Sequence, residues 1–303
     1  MSRLLFPALV VLLAACTRDD PAQRPMRFYV VGDWGRDGQF GQWELAQTMN
    51  ALAREEPPDF ILSAGDNFYE DGVDGVADPQ WNTSFEAIYN GPFLQVPWYV
   101  ALGNHDYAGS VQAQLDYHNV NPRWNMPARY YTFVRTDPGG TRLRFVVLDT
   151  TPFERSYYSL SWSDHLLGQD TLRQRHWIDS VFRLQDADFT IALGHHPLYT
   201  GGARAQEPNG VREALEPLFT THRIPVYLAG HEHDLQYLKD PAKPTHHLVS
   251  GAGSSVRPTG EIDITRFSKS VVGFVMLEAY ATRLDVRFYS IDGDVIYEST
   301  ITK

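Results

Sequence analysis

Five apolar runs of this chain stop in the same way. RFYVV leads into Gly32-Asp33, DFILSA into Gly65-Asp66-Asn67, and WYVAL into Gly103-Asn104-His105-Asp106. Further along, FTIAL leads into Gly194-His195-His196 and VYLA into Gly230-His231-Glu232-His233. Segments of helical period, such as FGQWELAQTMNALAREE, QWNTSFEAIY and TLRQRHWIDSVFRLQ, lie between them. Strands alternating with helices require crossover connections and parallel pairing. In such sheets ligands gather beyond the carboxyl ends of the strands, where glycine lets the backbone turn sharply and approach a bound group. One corner of this kind is ordinary turn chemistry. Five in series, all carrying oxygen or imidazole donors, mark a site.

The C-terminal third changes character. HHLVSGAG, VVGFVMLEAY, TRLDVRFYSI and DVIYESTITK are strand-like with no helix between them, and IDGD marks a hairpin turn. RYYTFVR and LRFVVLD, joined by TDPGG, read as a second hairpin. The expected architecture is α/β: two mixed sheets face to face with helices outside, forming one domain over residues 27–303.

The first residues suggest an address. Arg3 precedes an apolar run from Leu4 to Ala15, too short to span a bilayer and of signal-peptide length. Leu13-Ala14-Ala15-Cys16 resembles a bacterial lipobox, which implies a signal peptide over 1–15, cleavage before Cys16 and lipidation of its sulfur. Residues 16–26 then read as a polar, proline-bearing tether. Membrane attachment is expected only through that lipid, in the bacterial cell envelope. Thr17 in place of an aspartate after the cysteine points to the outer membrane, periplasm or surface.

Cys16 is the only cysteine, so any metal is held by nitrogen and oxygen. A formal charge of −11 argues against nucleic acid as a partner, because no basic face offsets phosphate repulsion. A small phosphorylated substrate is compatible with that charge, since bound cations dominate the field locally. Nothing in the sequence sets the oligomeric state, and a monomer is the default expectation.

The five corners carry donors for two adjacent cations, a device that clamps the attacking and leaving oxygens of a phosphoryl group. Here the chain resembles the calcineurin-like metallophosphoesterases, whose first motif is usually Asp-x-His. In GDWG, Gly35 stands where that histidine would be and leaves one cation short of a ligand. Tyr69, three residues beyond Asp66 in GDNFY, can replace it. A phenol ligates as phenolate only beside a strong Lewis acid, which selects Fe(III) over Zn(II) or Mg(II). GDWG with GDNFY is similar to the purple acid phosphatases. VPWYVALGNHDY, RWNMPARYY, GHEHDLQYLKD and LVSGAG extend the resemblance to the small, tartrate-resistant branch over most of residues 26–280.

The resemblance implies a four-layer αββα sandwich and a dinuclear Fe(III)–M(II) centre. Asp33, Tyr69 and His233 would hold Fe(III). Asn104, His195 and His231 would hold a divalent ion (Fe, Zn or Mn), and Asp66 would bridge the two. The charges agree: a tyrosinate and two carboxylates neutralise a trivalent ion, whereas an amide and two imidazoles suit a divalent one. Glu232, between two ligand histidines on one extended or tightly turned segment, is expected to point away from the metals.

His105 is expected to contact the phosphate or protonate the leaving oxygen, with Asp106 fixing its tautomer. Members of the small branch usually carry a substrate-facing histidine in the loop after Gly-His. Between Pro197 and Thr221 this chain has none, and Arg204 sits about where it would be. An arginine clamps phosphate but donates a proton poorly, so Arg204 reads as a phosphate contact and the general acid stays open. His196 reads either as a second-sphere or substrate residue or as a packed histidine. Trp34 either walls the pocket or packs, and Glu70, Asp74 and Asp78 are expected on a solvated rim.

The expected function is phosphomonoester hydrolysis with an acid optimum. Two rivals stand beside it. One is a Zn or Mn metallophosphoesterase acting on diesters or nucleotides. The other is a non-catalytic surface lipoprotein that keeps the fold.

Overall fold

The computed structural model describes residues 24–207 and 209–303; the expected signal peptide and Cys16 lie outside them. Strand β1 (Met26–Val31) is buried along its whole length, as a strand covered on both faces must be. It pairs in parallel with β2 (Phe60–Ser63), β2 with β3 (Trp98–Val100), and β3 with β4 (Trp124–Asn125). On its other side β1 runs antiparallel to β12 (Gly273–Ala279), which continues through β13 (Arg283–Ser290) to β14 (Val295–Thr302). The first sheet is therefore ordered β14-β13-β12-β1-β2-β3-β4.

In the second sheet β6 (Arg142–Val147), β7 (Phe189–Leu193), β8 (Val226–Ala229) and β10 (His246–Ser250) form a parallel centre. Antiparallel strands flank it: β5 (Tyr131–Thr136) at one edge, β9 (Leu235–Lys239) and β11 (Thr265–Lys269) at the other.

Strand β6 shows how the layers stack. Leu143, Phe145 and Val147 enter the core shared by both sheets, where Phe145 meets Phe28 of β1 and Phe60 of β2 edge-on, each at 5.3 Å. Val146 points the other way. It packs with Ile178 and Phe182 of α4 (Thr171–Phe182) and Leu215 and Phe219 of α5 (Gly210–Thr221). Helix α1 (Gln42–Glu55), the crossover between β1 and β2, buries Leu45, Ala46 and Met49 in the larger core. Helices α4 and α5 start at Asp170 and Asn209, whose side chains accept from the N–H groups of Arg173 and Arg212. The result is the αββα sandwich of two mixed sheets. One local expectation differs: the QWNTSFEAIY segment forms only a π-helical turn over Trp81–Glu86. Two short α-helices, α2 (Asn104–Ala108) and α3 (Val111–Tyr117), follow β3.

Candidate metal centre

Three corner residues adopt left-handed backbone: Asp33 at φ 59°, Asp66 at 50° and His231 at 70°. Asp and His enter that region more readily than most side chains, and surrounding structure holds them there. Cross-links between the corners do so. Asp33 N–H donates to the Gly65 carbonyl at 3.0 Å, His231 N–H to the Asp33 carboxylate at 2.8 Å, and His105 N–H to the Asp66 carboxylate at 2.8 Å. Gly103 admits this closeness, since a Cβ there would fall 2.1 Å from an Asp66 carboxylate oxygen.

The missing histidine has a steric cause. A Cβ on Gly35 would lie 1.9 Å from the Asn67 carbonyl oxygen, and Tyr69 N–H donates to the Gly35 carbonyl at 2.9 Å. The backbone that leaves no room at position 35 is the one that delivers Tyr69. The phenol oxygen then lies 3.0 Å from Asp33 Oδ1, 2.9 Å from Asp66 Oδ2 and 3.2 Å from His233 Nε2.

A second donor set adjoins the first. The Ala64 carbonyl can only accept, so His195 donates Nδ1–H to it at 2.8 Å and turns the Nε2 lone pair toward the site. That nitrogen is 3.1 Å from His231 Nδ1 and 3.3 Å from Asp66 Oδ2. Asp66 Oδ2 thus touches Tyr69 on one side and His195 on the other. Asn104 Oδ1 is buried and has no hydrogen-bond partner among the described residues.

Burial alone would raise the Asp66 pKa, but His195 and then His105 hold its carboxyl well below the ordinary range. Burial and the charges of Asp33 and Asp66 push the Tyr69 phenol well above its ordinary value. Burial works against a charged His195, yet Asp66 and Asp33 lift it to about 9. A pocket this rich in anions takes up protons, and a cation would displace them as it claims the lone pairs. An unpaired buried carbonyl oxygen costs roughly 1–3 kcal/mol, which coordination would remove. Orphaned amide, fixed imidazole lone pair and phenol among three donors together fit a pair of cations held by Asp33, Asp66, Tyr69, Asn104, His195, His231 and His233.

The remaining candidates divide. His105 reaches the site, with its ring 4.4 Å from that of Tyr69, and donates Nδ1–H to the Glu70 carbonyl. Asp106 does not fix that tautomer, which corrects the role expected from its position next to His105. Its carboxylate accepts from Gly103 N–H at 2.8 Å, Asn67 N–H at 3.0 Å and Gln114 Nε2 at 2.8 Å, so it ties the second and third corners together. Arg204 lines a cavity beside Asn104 and His231 and donates to the His231 carbonyl at 3.2 Å. Trp34 is packed, not a pocket wall: it is fully buried against Phe68, Phe85, Tyr89 and Trp98 and donates to Ser63 at 2.8 Å.

Glu232 points away from the ligand cluster but is not idle. Its carboxylate accepts from the N–H groups of Ala203 and Arg204 at 3.1 and 3.0 Å, pinning the loop that carries Arg204. His196 packs within the site, its ring 4.3 Å from that of His231. Sequence reasoning missed Tyr157 and Thr150, which contact both nitrogens of His196. A tyrosine in a polar loop and a threonine after a strand carry no signal of that.

The calcineurin-like phosphoesterase family matches residues 26–235 of the chain. Purple acid phosphatase 7 of Arabidopsis thaliana is 30% identical over 321 residues, which cover 99% of this chain and 95% of the plant protein. Tartrate-resistant acid phosphatase type 5 of Sus scrofa is 30% identical over 329 residues, covering 99% and 94%. Among solved structures, GAP50, the anchor in the inner membrane complex of Plasmodium, superposes with a TM-score of 0.80 at 25% identity, covering 92% and 89%.

Proposed function

Because the chain belongs to the calcineurin-like phosphoesterases and, within them, to the purple acid phosphatases, we propose that it hydrolyses phosphomonoesters at a dinuclear Fe(III)–M(II) centre, with an acid pH optimum. The observation that carries the ferric assignment is the Tyr69 oxygen, within 3.2 Å of Asp33, Asp66 and His233. Burial and two carboxylates oppose a free phenolate there, so the phenol ligates only if a highly charged hard cation outweighs them. Asp33, Tyr69 and His233 would hold Fe(III); Asn104, His195 and His231 would hold Fe(II), Zn(II) or Mn(II); Asp66 would serve both. When bound, the pair supplies Lewis-acid charge to the phosphoryl oxygens and a water acidified below neutral pH.

The chain's own groups do the rest. Arg204 offers a planar, permanently charged fork to the outer phosphate oxygens. His105, with Nδ1–H committed to the Glu70 carbonyl, keeps Nε2 free to hold or release a proton. Rates on an aryl phosphate and a bis-aryl phosphate, followed from acid to neutral pH, test the reading. Monoester turnover that peaks in acid supports it, and faster diester turnover with Zn or Mn at neutral pH contradicts it.

The likeness to GAP50 favours a second reading, a protein that keeps the site but anchors or binds without turnover. Absence of hydrolysis of every ester by iron-replete protein would select it. The envelope address rests on residues 1–17 alone, and mass spectrometry of the mature N-terminus, with lipid on Cys16, tests it.

A further inference from the structure

The hydroxyl oxygen of Thr150 accepts from the backbone N–H groups of His195 and His196, each at 3.2 Å, and lies 2.8 Å from His196 Nδ1. A hydroxyl has two lone pairs and one proton. Both lone pairs are taken, so the proton goes to His196 Nδ1, which acts as an acceptor. His196 therefore carries its proton on Nε2 and donates it to the Tyr157 hydroxyl oxygen, 2.9 Å away. Among the described residues no other group takes the phenol's own proton. It is left for the cavity of about 170 Å³ that Tyr157 lines together with Asn104, His231 and Arg204.

We propose that Tyr157 is a substrate-binding residue that donates a hydrogen bond to the phosphate group, oriented by the chain Thr150–His196–Tyr157. The proposal rests on the phosphoesterase reading for the identity of the anion in the cavity. Arg204 brings charge to that anion, and Tyr157 brings direction. Burial raises the phenol above its ordinary range, so Tyr157 stays a donor wherever the enzyme works and does not itself give up the proton. Thr150 and His196 are positioning residues: they decide which way the phenol proton points.

Calorimetric titration of metal-loaded protein with inorganic phosphate is the test. Tyr157→Phe should weaken phosphate binding about 10- to 100-fold, the range for one hydrogen bond to a charged group, with metal content unchanged. Thr150→Val should weaken it as well. Without the hydroxyl nothing donates to Nδ1, so the His196 tautomer is no longer fixed and the Tyr157 proton is no longer directed to the phosphate alone. Thr150→Ser keeps the hydroxyl and should bind phosphate like wild type, which separates the relay from packing.

Phosphate affinity within about twofold of wild type in Tyr157→Phe overturns the proposal, whatever the Thr150 variants do. Equal losses in Thr150→Ser and Thr150→Val overturn the relay. Turnover of an aryl phosphate by wild type is measured in parallel. If turnover is absent the phosphatase reading fails, while phosphate binding still decides Tyr157; wild type that binds no phosphate overturns both.

Discussion

The Arg36 guanidinium carbon lies over the ring of Tyr69, 3.7 Å from its centroid. The Glu70 carboxylate at 2.6 Å and the Phe40 ring at 5.6 Å hold it there. A cation on the ring face favours an anionic phenolate over a neutral phenol. With iron bound as proposed, the same charge would lower the filled orbitals of a tyrosinate and so raise the energy of the light absorbed. Arg36→Gln should move the visible band of iron-loaded protein to longer wavelength, and Arg36→Lys should move it less. Absorption spectra of the three proteins check this.

In the second donor set Asn104 Oδ1 is buried and has no hydrogen-bond partner among the described residues. Asn104→Ala should lose the divalent ion and retain iron, because Asp33, Tyr69 and His233 are untouched. Metal stoichiometry after dialysis measures it; loss of both ions in equal amount would contradict the division into two sets.

Glu232 holds the backbone at Ala203 and Arg204, and Arg204 in turn reaches the His231 carbonyl. Glu232→Ala should free this loop and raise KM for an aryl phosphate several-fold, with a smaller change in kcat. Steady-state kinetics separate the two, and an unchanged KM would remove Arg204 from the phosphate site.

Asp149 offers a pH-dependent reading of stability. Its Oδ1 is buried with no partner among the described residues, and the Tyr107 hydroxyl donates to its other oxygen. Burial raises its pKa from 3.8 to about 7. The folded state thus binds a proton that the unfolded state releases, and this carboxyl costs stability progressively as pH rises from about 4 to about 7. Asp149→Asn should raise Tm at about pH 8 and leave it unchanged near pH 4. Thermal melts at both values decide it.

The sheets and the donor set were legible because each motif strand is a largely apolar run soon followed by glycine, and parallel pairing forces such ends to one side. Gly35 and Tyr69 were legible as a pair of motif residues, although only the fold shows that the Gly35 backbone lies against Asn67 and accepts the Tyr69 N–H. The Asp106 role was misread because adjacency in sequence suggested contact. On α2, neighbouring side chains diverge, and Asp106 turns to Gly103, Asn67 and Gln114 instead. Tyr157 was out of reach: its partner His196 lies 39 residues away, and the short 3-10 turn that carries it, Arg155–Ser159, has no period to read. The π-helical turn at Trp81–Glu86 reflects packing of Trp81 and Phe85 against Trp124, a tertiary demand that local propensity does not express.

The most direct test of the ferric tyrosinate site is the visible absorption spectrum of iron-replete wild type beside Tyr69→Phe. A charge-transfer band is expected in the wild type and should vanish in the variant, with acid hydrolysis of aryl phosphates falling alongside it. A colourless, iron-bound wild type that hydrolyses these esters at full rate would contradict the assignment.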